Sequence, residues 1–384
     1  MRILTVTHFF EQHGGGIERV AGQLSRAFQA ADHDASWAAS GLPTPPLTCI
    51  SLPSWNGIER STGIPMPIPG PRGLARLWRA VGCSDGVVIH DTLYLTSMAA
   101  MLAARLQHKP IVLIQHIGSL PVRNRLVRGA VMLGNRLVSR TMMSAANRVL
   151  FISATTMASF DGLNLRAPAR LIFNGVDPLL FRPSHIPRDA FRSRLGLPND
   201  KPIILFVGRF VEKKGLVTIA ALAKQRPDLF FVLAGKGPIA PENWDLANVR
   251  VERCLEGAVL ADFYRSADKL LLPSVGEGFP LVIQEAMACG LPVICGSESA
   301  MADPDATRFL TGLPMSSTRP EDNAKRISSA IDGRAMKQAD RLEMADYAHH
   351  TYQWSKMATT IIDIFSELSF VDHSTPNGRP SEAP

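Results

Sequence analysis

Cysteine is scarce in this chain, and its few residues do not form any recognised ligand spacing. Five cysteines are scattered over 384 residues, and none of them belongs to a C-x-x-C pair. The pattern excludes a disulfide framework and a thiolate zinc site, and it predicts small core residues in a reducing cytoplasm. The five positions are Cys49, Cys83, Cys254, Cys289 and Cys295.

A long apolar run is also missing. No run reaches the ~18 residues of a transmembrane helix. The start, MRILTVTHFF, has the pattern of a buried strand, so we expect no signal peptide. The basic stretches lack interleaved aromatic residues, which argues against nucleic-acid binding. The net charge of +7 therefore favours an anionic substrate or an anionic membrane surface as partner.

What the chain does contain is a regular alternation of strand and helix patterns. Hydrophobic residues make up 46% of the 384 positions and charged residues 20%. This is a globular composition, and at ~150 residues per domain the length predicts two domains. The alternation predicts an α/β protein with two doubly wound, Rossmann-like parallel sheets. The predicted strands cover 3–9, 35–40, 86–90, 110–116, 148–153, 170–175, 202–209, 229–235, 249–254, 269–274 and 291–296.

Breaks in this alternation divide the chain. Residues 178–200 are rich in proline and interrupt the pattern. We therefore place an N-terminal domain at 1–178, a linker at 179–200 and a C-terminal domain at 201–354. A helix with regularly spaced apolar residues follows at 355–370. The segments expected to lack regular structure are the proline- and glycine-rich loop 41–73 and the polar, disordered tail 371–384.

Two glutamates separated by seven residues are the main feature of EGFPLVIQEAMACGLPVICGS, at 277–297. Glu277 and Glu285 can accept hydroxyl hydrogen bonds, and charge-assisted bonds are roughly twice as strong as neutral ones. The N–H groups of Gly278, Phe279 and Leu281 would lie at a helix N-terminus, where they attract phosphate. The segment thus offers what a sugar nucleotide needs. The competing interpretation is a surface loop at an ordinary helix start.

A basic turn, GRFVEKKG at 208–215, follows the first strand of the second half. Arg209 and Lys214 would lie at the carboxyl end of that strand, where α/β sheets bind ligands. A guanidinium and a nearby ammonium suit a diphosphate, and they would stabilise the charge that builds on it as it leaves. The alternative is an exposed basic turn.

Three glycines in HGGGIERV, at 13–20, lie between the first strand and the first helix. Glycine permits close approach of the backbone to a ligand, so Gly15 and Gly16 can line a phosphate or sugar site. The motif is not G-x-G-x-x-G, and no acid is well placed for a dinucleotide ribose, which disfavours an NAD site. A plain tight turn is the structural alternative.

Two histidines end predicted strands, His116 after VLIQ and His90 after VVI. At the end of a strand an imidazole can orient a hydroxyl group or donate a hydrogen bond. A buried structural histidine is the common alternative. We favour a functional role for His116 over one for His90.

Residues 121–148 carry six arginines and no acid, with apolar residues at helical spacing. A basic amphipathic helix of this kind can lie on an anionic membrane. The alternative is a helix whose apolar face belongs to the core and whose arginines are solvated.

Together these motifs resemble the family 4 retaining glycosyltransferases, which have the GT-B fold. The resemblance covers nearly the whole chain and includes FIS at 151–153, FNGVD at 173–177, VLAGKGP at 232–238 and FYRSADKLLLPS at 263–274. In this family the final helix crosses back to the N-terminal domain, and YQWSKMATTIIDIF at 352–365 is similar to that helix.

The resemblance implies a role for each matching residue. Arg209 and Lys214 would hold the donor diphosphate, and Glu277 would contact the hydroxyls of the donor sugar. His116 would lie near donor sugar and acceptor, and Glu285 would contact the nucleotide ribose. The other donor-binding positions are Gly15 and Gly16 along the cleft, Arg253 and Cys254 facing the base, and Gly278, Phe279, Pro280 and Leu281 around sugar and phosphate.

The resemblance also implies a reaction without a bound metal or other cofactor. In this family the acceptor attacks the front face of the sugar, the leaving phosphate accepts its proton, and the anomeric configuration is kept. Two carboxylates placed for glycoside hydrolysis are therefore not required. We predict a cytoplasmic transferase that uses a nucleotide sugar and acts on a growing polysaccharide or a lipid-linked saccharide at the inner membrane face.

Two alternatives remain at this stage. One is a sugar-nucleotide epimerase of related fold, and the other is a non-catalytic scaffold that binds sugar or lipid. A scaffold has no reason to keep Arg209, Lys214 and Glu277 together. The chain departs from the family at SESAMADPDATRFL, 297–310, where many members have a glycine-rich loop that ends in glutamate. We expect the donor pocket to differ there.

Overall fold

Two parallel β-sheets organise the chain, one in each half. The computed structural model describes residues 1–62, 65–118, 137–333 and 335–373. The strands of the first half are β1 (Arg2–Phe9), β2 (Asp34–Ser40), β3 (Thr48–Ser51), β4 (Ser54–Trp55), β5 (Ile68–Pro69), β6 (Gly86–His90), β7 (Ile111–Gln115), β8 (Arg148–Phe151) and β9 (Arg170–Leu171). Seven of them form a sheet in the order β3-β2-β1-β6-β7-β8-β9, and β4 pairs with β5 separately.

Helices cover both faces of the first sheet, so its central strands are buried on both sides and almost wholly apolar. The helices of this half are α1 (Gly16–Ala30), α2 (Gly57–Thr62), α3 (Pro71–Cys83), α4 (Leu95–Leu106), α5 (137–145) and α6 (Ala154–Ala158). Leu24 and Phe28 of α1 pack on one face of the sheet. Leu77 of α3, Ala100 of α4 and Met142 of α5 pack on the other.

The second half repeats this arrangement with six strands. They are β10 (Ile203–Val207), β11 (Phe230–Ala234), β12 (Val249–Glu252), β13 (Lys269–Leu272), β14 (Val293–Gly296) and β15 (Leu310–Leu313). Their order is β12-β11-β10-β13-β14-β15, and every pair is parallel. The helices are α7 (Arg188–Leu195), α8 (Leu216–Gln225), α9 (Gly257–Ser266), α10 (Leu281–Ala288), α11 (Ser297–Ala300), α12 (Pro320–Ile331) and α13 (Gln338–Thr351). The prediction of two Rossmann-like parallel sheets is confirmed.

The proline-rich stretch proposed as a linker contains α7. Phe191 of this helix is buried, and the Arg192 guanidinium donates to Ser266 O at 3.0 Å and to Asp268 Oδ2 at 2.6 Å. Since Ser266 ends α9 and Asp268 precedes β13, α7 is attached to the second half of the chain. The prolines therefore flank an ordered helix.

The last helix, α14 (Trp354–His373), returns to the first half of the chain. Its buried residues Met357, Ile361 and Phe365 share one cluster with Leu24 of α1. An added Cβ at Gly86 would lie 2.6 Å from Phe365 Cε1, so α14 packs closely on the start of β6. The predicted crossing helix is confirmed.

Several sequence-based expectations about this fold are wrong in part. The predicted loop 41–73 contains β3, which pairs in parallel with β2 at the sheet edge, and it runs into α3, where Pro71 occupies the favoured first position of a helix. The strand β15 was not predicted, because its sequence LTGL is short and half-exposed.

Two further corrections concern the cysteines and the tail. Cys83 and Cys254 are exposed, whereas Cys289 and Cys295 are buried as predicted. Residues 371–373 of the predicted tail belong to α14, and 374–384 lie outside the described residues. In the described part of the chain, no helix has the length and apolar character needed to cross a bilayer.

Candidate active site

The carboxyl ends of the two sheets face each other across a narrow cleft. An added Cβ at Gly278, after β13, would lie 2.8 Å from His116 O, after β7. An added Cβ at Gly14 would lie 3.4 Å from Cε of Lys236, which follows β11. The segments predicted to bind the donor and the acceptor therefore meet in three dimensions.

Lys214 and Glu277 form an ion pair on the second-domain side of the cleft. Lys214 Nζ lies 2.7 Å from Glu277 Oε2, and the two side chains are 14% and 9% exposed. Lys213 Nζ lies 3.9 Å from the other oxygen. Gly215 has a φ of +75° and ends the turn that carries both lysines, and an added Cβ there would collide with Pro273 O. The chain thus folds the basic turn directly onto the loop that contains Glu277.

Arg209 lies at the same sheet edge and is exposed. Its charge acts on Tyr94, from the first half of the chain. Burial raises the pKa of that tyrosine well above its usual value, and Arg209 opposes the rise. Among the described residues, the guanidinium of Arg209 has no hydrogen-bond or ion-pair partner. One edge of the sheet therefore carries the carboxylate of Glu277 and three cations, Arg209, Lys213 and Lys214.

The helix that follows Glu277 begins where the sequence places it. Pro280 precedes the first helical residue, Leu281, and the first N–H groups of a helix have no partner within it. The Phe279 ring is buried against Phe173 and Tyr352, with ring centroids 5.9 and 5.5 Å away. Phe279 thus anchors the turn through its side chain and leaves only its backbone to a ligand.

Glu285 is buried and already paired. Tyr264 donates its hydroxyl to Glu285 Oε2 at 2.8 Å, and Arg19 of α1 lies 3.3 Å from Oε1. Burial raises the pKa of Tyr264 well above its usual value, and Glu285 adds to the rise, so the phenol stays a donor. The carboxylate assigned to the ribose therefore touches both halves of the chain.

The glycine-rich loop is packed around a buried acid that sequence reasoning missed. Gly15 caps α1, and an added Cβ there would collide with the carboxylate of Glu18. Glu18 Oε1 lies 3.0 Å from His8 Nε2 and 3.3 Å from His13 Nδ1. Although burial raises the pKa of Glu18, hydrogen bonds from His13 and His8 hold it well below its usual range. At Gly16, by contrast, an added Cβ would meet nothing within 4 Å.

His116 is in direct contact with His90. His90 Nδ1 lies 2.9 Å from His116 Nε2, so one imidazole donates a hydrogen bond to the other. Burial lowers the pKa of His116 to about 3, and burial and His116 together lower that of His90 well below its usual value. Both rings are therefore neutral at physiological pH, and His116 can serve as a hydrogen-bonding group but not as a cation.

A buried aspartate supports this pair. Asp91 follows β6 with a φ of +60°, and its Oδ1 accepts a hydrogen bond from Gln115 Nε2 at 2.6 Å. Burial raises the pKa of Asp91 to about 8, while the N–H groups of His116 and Ile117 oppose the rise. Asp91 therefore fixes the turn that carries His116. Asp91 was not among the site residues predicted from the sequence.

Comparison with known proteins agrees with this geometry. The sequence model described as Glycosyltransferase Family 4 matches residues 14–179, and the one described as Glycosyl transferases group 1 matches 187–350. The D-inositol 3-phosphate glycosyltransferase 1 of Catenulispora acidiphila is 30% identical over 321 residues, which are 76% of this chain and 74% of that protein. The chain belongs to the family 4, group 1 glycosyltransferases.

Two more proteins define the extent of the similarity. The phosphatidyl-myo-inositol mannosyltransferase of Mycolicibacterium smegmatis is 27% identical over 96% of this glycosyltransferase and 94% of its own length. The crystal structure of Anabaena HepE in complex with UDP-glucose superposes with a TM-score of 0.70 at 16% identity, covering 96% of this chain and all of HepE. The fold of the glycosyltransferase is GT-B.

The two residues predicted to face the nucleotide base lie in a more exposed part of the site. The Arg253 guanidinium lies 2.6 Å from Glu242 Oε1 and 5.4 Å from the centre of the Phe210 ring. Cys254 is exposed and has a φ of +59°. Within the described chain no hydrogen bond or ion pair joins either residue to Glu277 or Glu285.

The segment 297–310, where the sequence predicts a departure from the family, begins with α11 and reaches the donor loop. Glu298 of α11 accepts a hydrogen bond from Gly276 N at 3.1 Å, directly before Glu277. Farther along, Asp303 Oδ2 accepts from Tyr347 and Tyr352, both at 2.7 Å. Glu298 in α11 and Asp303 after it therefore attach this segment to the donor loop and to two tyrosines near the end of α13.

Most of the basic segment 121–148 lies outside the described residues, which resume at 137.

Proposed function

We propose that the protein is a retaining glycosyltransferase that moves a sugar from a nucleoside diphosphate to a hydroxyl group of a saccharide or a lipid-linked saccharide. The observation that carries the proposal is the Lys214–Glu277 ion pair, at 2.7 Å. The pair lies beside Arg209, and this edge of the sheet faces His116 across the cleft. The arrangement combines cations for a diphosphate with a carboxylate for sugar hydroxyls.

In the proposed reaction the bond between the anomeric carbon and the diphosphate oxygen breaks, and the acceptor oxygen bonds to the same face of that carbon. The acceptor proton passes to the leaving phosphate. Arg209 and Lys214 stabilise the charge of that phosphate. Glu277 accepts hydrogen bonds from the donor sugar, Glu285 accepts one from the ribose, and the neutral His116 orients a hydroxyl at the reaction centre.

The identities of donor and acceptor are proposed by class only. HepE is recorded with UDP-glucose, which supports a nucleoside diphosphate sugar as donor. The names of two relatives refer to inositol 3-phosphate and phosphatidyl-myo-inositol, which supports a polyhydroxylated acceptor, free or lipid-linked. A further relative is named for teichuronic acid biosynthesis, which supports a role in cell-surface polysaccharide synthesis.

The proposal places the enzyme in the cytoplasm, where it would meet a lipid-linked acceptor at the inner membrane face through residues 121–148. The basic amphipathic pattern of this segment supports membrane binding. Co-sedimentation with vesicles that contain anionic lipid tests it. Replacing Arg128, Arg136 and Arg140 by glutamine should release the protein from the vesicles, and unchanged binding would assign the segment a structural role.

Thermal shift with a panel of nucleoside diphosphate sugars tests the donor, because a ligand that binds only the folded state raises its stability by mass action. Transfer to candidate acceptors is then followed by NMR of the new anomeric proton.

Arg209→Ala and Glu277→Ala should abolish transfer while the fold is kept, and near-normal transfer by either variant contradicts the mechanism. Conversion of the donor sugar without an acceptor would favour the epimerase alternative, and binding without any conversion would favour the scaffold.

A further inference from the structure

Arg19, from the first half of the chain, reaches the glutamate that the proposed function assigns to the ribose. Its Nη2 lies 3.3 Å from Glu285 Oε1, and the two side chains are 39% and 4% exposed. Arg19 lies in the first turn of α1, directly after the glycine-rich loop, and Glu285 lies in α10. The ion pair therefore crosses the cleft.

The pair satisfies a charge that burial would otherwise penalise. A buried carboxylate without a partner is costly, and within the described chain Arg19 is the cation that lies within ion-pair distance of Glu285. Tyr264 satisfies the other oxygen at 2.8 Å. The charge of Glu285 raises the pKa of Arg19, although desolvation opposes the rise.

Within the described chain, most of the Arg19 guanidinium has no hydrogen-bond partner. A guanidinium carries five N–H donors in a planar fork, yet one nitrogen at 3.3 Å is the contact that joins it to Glu285. This is longer than a charge-assisted hydrogen bond, which spans roughly 2.7–2.9 Å. The Arg19 side chain is 39% exposed, so part of it remains open to the oxygen atoms of a ligand.

We propose that Arg19 is a donor-binding residue, contributed by the first domain, that acts with Glu285 on the ribose and diphosphate of the nucleotide. This inference rests on the proposed function. A carboxylate has about four lone-pair sites, so Glu285 Oε1 can accept a ribose hydroxyl while Arg19 turns its remaining donors to the oxygens of the nucleotide. Since the two residues lie on opposite domains, the nucleotide would contact both sides of the cleft.

The experiment is a double-mutant cycle read out as nucleotide affinity. A thermal shift panel of UDP, GDP, ADP, CDP and TDP first selects the diphosphate that stabilises the wild-type protein most. Its Kd is then measured by calorimetry for the wild type, Arg19→Gln, Glu285→Gln and the double variant. Arg26→Gln is the matched control, because Arg26 also lies on α1, is 36% exposed and pairs with Glu11 at 2.6 Å, away from Glu285.

Arg19→Gln should weaken binding about tenfold, or ~1.4 kcal/mol. Its effect should be several-fold smaller in the Glu285→Gln background, as expected for residues that share a ligand. Arg19→Lys should restore part of the affinity, and Arg26→Gln should leave it unchanged. The inference is overturned if Arg19→Gln and Arg26→Gln behave alike while Glu285→Gln weakens binding, and the proposed function then still stands. If no diphosphate stabilises the wild type, both proposals fail.

Discussion

His90 and His116 lie side by side at the carboxyl ends of neighbouring strands, with Nδ1 and Nε2 2.9 Å apart and ring planes within 19° of parallel. Neither ring can gain a proton easily, because burial disfavours the charged form of both. The pair is therefore a fixed, neutral hydrogen-bonding unit, and Asp91 holds the turn that carries it. This relationship leads to the first prediction, on the pH dependence of stability.

Replacing His116 by glutamine should reduce the loss of stability in mild acid. The pKa of His116 is about 3 in the folded state and about 6.5 when unfolded, so the unfolded chain binds more protons between these values. The stability that His116 contributes is present above pH 6.5 and is lost as the pH falls toward 3. Asp91, whose pKa is raised to about 8, makes stability change with pH in the opposite direction. The pH dependence of the wild type alone therefore does not isolate the contribution of His116.

The measurement is urea unfolding of the wild type and His116→Gln at pH 7 and pH 5. Between pH 7 and pH 5 the free energy of unfolding of the wild type should fall by about 1–2 kcal/mol more than that of His116→Gln. An equal difference at both pH values would show that His116 titrates normally in the folded state.

Gly15 and Gly16 should differ in their tolerance of alanine. At Gly15 a Cβ collides with the carboxylate of Glu18, which His8 and His13 hold in place. Gly15→Ala should cost at least about 2 kcal/mol of stability, because it separates a buried acid from its partners. Gly16→Ala is the control and should stabilise α1 by at most about 1 kcal/mol. Thermal unfolding of both variants checks the pair of outcomes, and equal effects would contradict the packing described.

Lys214→Met should lower transfer strongly. The substitution removes a cation that lies 2.7 Å from Glu277 and, in the proposed reaction, faces the leaving phosphate. Loss of one fixed group that stabilises developing charge costs about 10²–10³ in kcat. Lys224→Met, at an exposed position of the neighbouring helix α8, should leave transfer unchanged. Single-turnover assays distinguish slow chemistry from weak binding, and a normal rate for Lys214→Met would remove Lys214 from the mechanism.

The crossing helix should be essential for stability. Phe365 is 2% exposed and fills the space beside Gly86, so Phe365→Ala should cost about 3–5 kcal/mol. Leu342 of α13 is 45% exposed, and Leu342→Ala should cost well under 1 kcal/mol. Guanidinium unfolding of both variants measures the difference. A small effect of Phe365→Ala would mean that α14 contributes little to holding the first half of the chain.

The buried strands were the most predictable part of this fold. Runs such as VVI in β6 and IILFV in β10 are apolar at every position, since helices cover both sheet faces, and such runs are recognisable in the sequence alone. The edge strand β3 (TCIS) and strand β15 (LTGL) are short and half-exposed. Their pairing depends on neighbouring strands rather than on their own composition, so a single sequence does not reveal them.

The candidate active site also has features that could be predicted from the sequence and features that could not. The spacing between Glu277 and Glu285, and the positions of Arg209 and Lys214 after a strand, are local features that the sequence by itself determines. Parallel strands bring their carboxyl ends to one edge whatever lies between them, and this is why these residues were predicted together. The contacts of Glu285 with Arg19, of Glu18 with His8 and of His90 with His116 join residues whose partners lie on separate elements. Only tertiary packing decided them, because each contact depends on how separate helices and strands pack together, within one half of the chain or, for Glu285 and Arg19, across the cleft. The spacing of residues along the chain does not specify that packing.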